Sequence, residues 1–443
     1  MTRPNQPDLI IAPRWIIPVE PARTVLTDYA LVINDGRIQS LENCASVRSK
    51  WPDAPWVERP EHVLIPGFIN AHTHAAMTLL RGYADDLPLE TWLNEHIWPA
   101  EQQWVNREFV RDGTDLAILE MIRGGTTCFQ DMYFFPDEVA AVAAERGVRA
   151  TASMIVIEAP TVWAANVDEY ITRGLEVHDR YRDHPLVQTS FAPHAPYSVS
   201  DPVFERIVTL ANQLDVNIHM HVHETADEVQ QAEDSTGMRP LARLEQLGVL
   251  SPMLNAVHMT QLNETEIDLL ATRGVTVVHC PESNMKLASG ICPLNRLIKA
   301  GVNVALGTDG AASNNDLDML GELRITALLA KVHAGDATVL PTDEALAMAT
   351  INGARALGIA DETGSLVAGK SADMVCIDLS VPACQPVHNP LSQLVYSAQR
   401  DQVSDVWVAG RQLYGENGFT SMDEAEVLER ANAWLNRMQN STP

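Results

Sequence analysis

The chain has 443 residues, 46% hydrophobic and 20% charged, with a formal net charge of −27 at pH 7. This is the composition of a globular protein rather than a disordered one, and its acidity argues against nucleic acid and anionic membrane surfaces, which attract basic patches. Six scattered cysteines with no C-x-x-C pair indicate neither a disulfide framework nor a thiolate zinc site.

The first residues, 1–8, contain no apolar h-region, and nowhere do about 18 apolar residues run uninterrupted, so a soluble, cytoplasmic protein is expected. Up to about Glu61 the apolar runs are short and β-like, at 9–11, 30–33 and 37–41, and Asp35-Gly36 between the last two is a hairpin signal. From Leu64 onward strand-length runs alternate with helix-length segments. Strands are predicted at 64–71, 126–132, 149–157, 187–194, 217–223, 255–259, 275–279 and 302–308, with helices such as 202–214, 227–231, 238–247 and 264–273 in the gaps. Eight such repeats give an α/β fold of the closed (β/α)8 TIM-barrel type, whose chemistry sits at the carboxyl ends of the strands. The runs at 373–379 and 403–408 return to the texture of the amino-terminal end. The predicted organisation is therefore a barrel over 63–362 and a small β-sandwich domain composed of 1–62 and 363–443.

Polar residues at the predicted strand ends form a long series. His72 and His74 end the first strand and His194 the fourth; His219, His221, His223 and Glu224 lie at the fifth, and His258, His279 and Asp309 at the sixth, seventh and eighth. Side chains two apart on a strand face the same way, so His72 and His74 can reach one ion, and any of His219, His221 and His223 could join them. Imidazole with carboxylate suits zinc or iron. His62, His96, His178, His184, His333 and His388 fall in loops or polar helices and are given no role.

Several segments carry a family resemblance in the right order: Pro66-Gly67-Phe68-Ile69-Asn70-Ala71-His72-Thr73-His74, Met77 to Gly82, Gly124-Gly125-Thr126-Thr127, Pro193-His194-Ala195-Pro196-Tyr197, His221-Val222-His223-Glu224-Thr225, His279 to Asn284, Gly307 to Asn315, and Gly364 to Asp373. The chain resembles the amidohydrolase superfamily over nearly its whole length. Within it the resemblance is to the metal-dependent branch that deaminates 5′-methylthioadenosine and S-adenosylhomocysteine. The resemblance implies His72, His74, His221 and Asp309 as metal ligands, selecting His221 where spacing leaves three histidines open. Two-metal members bridge their ions with a carboxylated lysine, and no lysine occurs between Trp51 and Met285. One divalent ion, zinc or ferrous iron, is the expectation.

The resemblance further implies hydrolytic deamination by a metal-activated water. Asp309 takes the water's proton, Glu224 protonates purine N1, and His258 stabilises the attacking oxygen, giving the inosine analogue and ammonia. Glu101 is implied to hold the ribose hydroxyls and His194 to donate to the substrate. Trp92 is read as an aromatic that closes over the ligand, and Ser313 as a neighbour of the base. Arg149 stands in the neighbourhood where homocysteine-binding members place an arginine, but residues 158–170 hold no arginine or lysine. Methylthioadenosine is thus the expected substrate, with S-adenosylhomocysteine or adenosine weaker. No role is assigned to His219, His223 or His279. The alternatives are another deaminase or hydrolase of the superfamily, acting on guanine, an s-triazine or a cytosine-like base, and a non-catalytic barrel scaffold. Apolar residues between Trp92 and Trp98 point to a homo-oligomer.

Overall fold

A computed structural model describes residues 6–440. Eight parallel strands, β1 (Phe68–Thr73), β2 (Thr126–Asp131), β3 (Arg149–Val156), β4 (Val187–Pro193), β5 (Ile218–Val222), β6 (Leu254–His258), β7 (Thr276–His279) and β8 (Val304–Leu306), pair in chain order. The sheet closes where the amides of Thr308 and Asp309 donate to the His72 carbonyl, at 3.1 and 3.0 Å. Every residue of β1, β2 and β3 is buried, as expected of parallel strands covered on both faces.

Four of the helices between the strands, beginning at Arg107, Val167, Ala226 and Glu264, start where a side chain satisfies a free amide. The predicted helix 264–273 is Glu264–Arg273, fixed by a reciprocal cap in which Asn263 accepts from the Glu266 amide and Glu266 from the Asn263 amide. The segment predicted as 227–231 is longer, Ala226–Thr236, because Thr225 caps it and Gly237 ends it in the left-handed conformation.

One predicted strand is two. The run 64–71 breaks at Gly67: Trp56–Pro66 belongs to the small domain's sheet, and the barrel begins at Phe68. A Cβ at Gly67 would fall 2.1 Å from Thr127 Oγ1, so the chain can change sheets there only with glycine. Nine strands from both ends of the chain form a single sheet, and its two halves join where Trp56–Pro66 pairs antiparallel with Met374–Asp378, Ile65 opposite Val375. The Asp35-Gly36 hairpin is present between Tyr29–Asn34 and Arg37–Asn43. Both turn residues have positive φ, 50° and 72°, as a type I′ turn requires. The carboxyl-terminal helix Glu424–Asn440 packs on the barrel helix Arg107–Arg123, where the Trp434 indole donates to Asp112 at 2.9 Å. No helix among the described residues is long and apolar enough to cross a membrane, and all six cysteines are free.

Arg149 requires a correction. It is the first residue of β3, at the amino end of the barrel and so opposite the rim where a substrate carboxylate would lie. Its Nε donates to Asp373 Oδ2 at 2.9 Å, and Asp373 Oδ1 accepts from Ser371 Oγ and the Ala409 amide, each at 2.7 Å. Arginine and aspartate are both buried, so this pair ties the barrel to the small sheet. Removing one partner leaves the other charge buried and unpaired. Arg149→Met should therefore cost about 3–5 kcal/mol of stability, read as a lower urea midpoint.

Candidate active site

His72 lies near the end of β1, His74 one residue past it, His221 on β5, and Asp309 three residues beyond β8. The barrel brings them together: one ligand atom from each lies within 4.8 Å of the others. Asp309 Oδ1 is 3.2 Å from Nε2 of both His72 and His74, and His221 Nε2 is 3.3 Å from His72 Nε2. Donors 2.0–2.2 Å from a tetrahedral ion stand roughly 3.3–3.6 Å apart, so this set fits one such ion.

The fit extends to what holds the donors. His74 Nδ1 is 2.6 Å from the Met132 carbonyl and His221 Nδ1 is 3.0 Å from the His194 carbonyl, so both rings donate at Nδ1 and turn the Nε2 lone pair inward. Asp309 Oδ2 accepts from Ser283 Oγ at 2.6 Å and Ser313 Oγ at 2.9 Å, which leaves Oδ1 toward the histidines. Ser313, expected beside the base, holds Asp309 instead. Asp309 itself is at φ 63°, a left-handed conformation held by its amide bond to His72. Gly307 is needed beside it, because a Cβ there would lie 2.8 Å from the His72 backbone nitrogen.

Glu224, just after β5, is mostly buried beside His258, with Oε2 3.7 Å from His258 Nε2. Burial raises the pKa of its carboxyl, with the Asp309 charge adding to the rise and His258 opposing it. His258 Nδ1 is 2.9 Å from Asn284 Oδ1, so its Nε2 is the nitrogen turned to the site. The Glu224 amide donates to Glu228 Oε2 at 2.7 Å, anchoring the turn that carries it.

Glu101, on the helix Trp98–Trp104, and His194 line a cavity of about 1540 Å³ beside the four-residue cluster. This exceeds the roughly 300–1,000 Å³ usual for small-molecule pockets. Tyr133 donates to Glu101 Oε1 at 2.6 Å, and burial pushes the Glu101 carboxyl up to about 7. The cavity wall carries the acids Glu158, Asp201 and Glu228, and Arg243 is its one cation among the described residues. Arg243 is fully engaged, donating to Asp201 Oδ1, the Pro196 carbonyl and the Val199 carbonyl.

Trp92 does not line this cavity. It is buried, and its indole donates to the Ala84 carbonyl at 3.0 Å; Trp98, 44% exposed, is the tryptophan at the wall. Of the three histidines without an assigned role, His219 contacts His72, His223 accepts from the Leu241 amide at 3.3 Å, and His279 is fully buried. Tyr133, Ser283, Asn284 and Glu228 were not singled out from sequence. Ser283 and Asn284 stood within the quoted run His279 to Asn284, whereas nothing local marks Tyr133 or Glu228.

A closed α/β barrel that turns three imidazoles and a carboxylate toward one point on its carboxyl rim defines a metal-binding hydrolase. The chain belongs to the amidohydrolase family, whose model matches residues 63–413, and it is a hydrolase acting on C–N bonds. It is 48% identical over 438 residues to a 5-methylthioadenosine/S-adenosylhomocysteine deaminase of Teredinibacter turnerae, covering 99% of both chains. It is 43% identical to a 5′-deoxyadenosine deaminase of Methanothermobacter thermautotrophicus, covering 91% of this chain and 93% of that one. Among solved structures it matches a zinc-bound adenosine deaminase from Xanthomonas campestris with a TM-score of 0.97 and 52% identity, covering 99% of this chain and 100% of that one.

Without an ion, burial works against a charge on His74, but the hydrogen bond and charge of Asp309, with the Met132 carbonyl and Asp131, together outweigh it and raise its pKa to about 9. An ion must displace that proton. Zinc affinity should therefore rise as pH increases toward about 9, with close to one proton released per ion. Calorimetry in buffers of different ionisation enthalpy reads that proton, and binding that strengthens as pH falls would contradict the assignment.

Proposed function

We propose that the protein deaminates 5′-methylthioadenosine to the inosine analogue and ammonia, turning over S-adenosylhomocysteine and adenosine more weakly, with one zinc ion held by His72, His74, His221 and Asp309. The observation that carries this reading is the placing of Glu224 and His258 beside the four-residue cluster, next to a cavity with Glu101 in its wall. When bound, the ion supplies Lewis acidity that lets water ionise near neutral pH.

The rest is done by the chain's own groups. Asp309 Oδ2 accepts from two serine hydroxyls and Oδ1 from the Gly310 amide; Oδ1 is the oxygen facing the histidines, and Asp309 takes a proton from the attacking water there. Burial raises the pKa of Glu224 above the usual carboxyl range, which suits it to deliver a proton to purine N1 and so make C6 electrophilic. His258, with Asn284 accepting from Nδ1, uses Nε2 to receive a proton or, once protonated, to donate to the oxygen forming at C6. Proton transfer to the amino group then releases ammonia. Glu101 accepts from the ribose 2′- and 3′-hydroxyls, and Tyr133 fixes its rotamer. His194 donates to the substrate from the opposite wall. The cavity beyond them has room for a 5′ substituent, and its four acids with one neutralised arginine favour an uncharged thioether over an amino-acid tail.

Three measurements follow. Glu224→Gln should lower kcat by about 10²–10⁴-fold while leaving zinc bound; a variant with parent activity would remove Glu224 from the proton path. Glu101→Ala should raise KM for nucleosides far more than for a free base such as guanine, and equal losses would count against the ribose role. In a panel followed by ammonia release, methylthioadenosine should exceed S-adenosylhomocysteine in kcat/KM by about 10-fold, the cost of a carboxylate left without a partner. A preference for S-adenosylhomocysteine would reverse the reading of the pocket.

A further inference from the structure

The three clustered imidazoles are not supported alike. His74 and His221 each face a carbonyl oxygen at Nδ1, and a carbonyl only accepts, so those rings have one available tautomer. His72 has no carbonyl there. Its Nδ1 lies 2.8 Å from Nε2 of His219, which stands two residues before His221 on β5 and deeper in the barrel. Two neutral imidazoles in contact share one hydrogen, and either ring can own it. If His219 donates, His72 carries its proton on Nε2 and offers no lone pair to an ion. If His219 accepts, His72 Nε2 is free.

We infer that His219 is a positioning residue whose Nε2 accepts from His72 Nδ1–H, holding His72 in the tautomer that can ligate. The inference rests on the metal site proposed above. Packing alone does not account for an imidazole here. His219 is fully buried, and its Nδ1 has no protein partner, so an aliphatic side chain would fill the place without burying an unpaired nitrogen. The contact with His72 is what an aliphatic could not supply. The direction is consistent as well: a neutral ring that accepts at Nε2 keeps its own hydrogen on Nδ1. The barrel thus uses a side chain on β5 to orient an imidazole on β1, where the other two imidazoles are oriented by main chain.

The test compares an acceptor with a non-acceptor of similar size at this position. Zinc affinity of the full chain, measured by competition with a chromophoric chelator, should fall about 10–100-fold in His219→Met. In His219→Gln, whose Oε1 can take the same hydrogen, it should stay within about threefold. Thermal midpoints of the two metal-free variants should agree, since a packing role moves stability rather than affinity. Parent-like affinity in His219→Met, or equal losses in both variants, would overturn the role of His219. Should a variant not fold, the zinc-loaded parent labelled with ¹⁵N-histidine decides: an unprotonated His219 Nε2 supports the inference and a protonated one ends it. A parent chain that takes up no zinc would instead remove the metal site itself.

Discussion

The site depends on one pair of hydrogen bonds. The amides of Thr308 and Asp309 both donate to the His72 carbonyl, and these bonds join the last barrel strand to the first. Barrel closure and site assembly are therefore a single event. The bonds that remove the sheet's free edges also fix the backbone of one ligand and swing the carboxylate of another toward it. Two local features follow from this seam. Asp309 accepts an unfavourable backbone conformation, and position 307 must be glycine because the His72 backbone approaches too closely for a side chain. Strain of this kind persists only where surrounding structure over-determines it, here through two serine hydroxyls on Oδ2 and the two amides on one carbonyl.

Around the seam, charge is managed mostly by burial. Burial raises the pKa of both Glu224 and Glu101 above that of exposed carboxyls. The cavity wall is different in kind. Its polar groups are acids, glutamines, loop hydroxyls, His194 and one arginine engaged by Asp201 and two carbonyls. The four-residue cluster thus sits at strand ends tied to the barrel, and the cavity wall comes from segments that follow β1 to β5. This is where sites usually lie on the fold.

Much of this was legible in the chain. The number and order of barrel strands could be read from alternating apolar runs, because strands buried on both faces leave long apolar stretches and capped helices leave clear starts. His72, His74 and Asp309 could be picked out because each ends such a run, whereas His221 could be told from His219 and His223 only through the family resemblance. Legibility failed where distant segments meet. Arg149 shares its strand with cavity-side residues, yet its position at the amino end points it away from the rim and onto Asp373. Trp92 and Trp98 look alike in sequence, and only the course of the helical segment buries the first and leaves the second at the wall.

What the sequence determined by itself was local: strand period, helix caps, the type I′ turn at Asp35-Gly36, and the set of residues able to bind an ion or move a proton. What the tertiary structure decided was contact: which histidine backs His72, that Ser313 and Ser283 hold Asp309, that Tyr133 holds Glu101, and that Arg243 has no charge to spare. The physical reason is the range of the interactions. Backbone conformation and amphipathic period are set within a few residues, whereas a hydrogen bond across the barrel depends on closing the sheet, and no short segment carries that information.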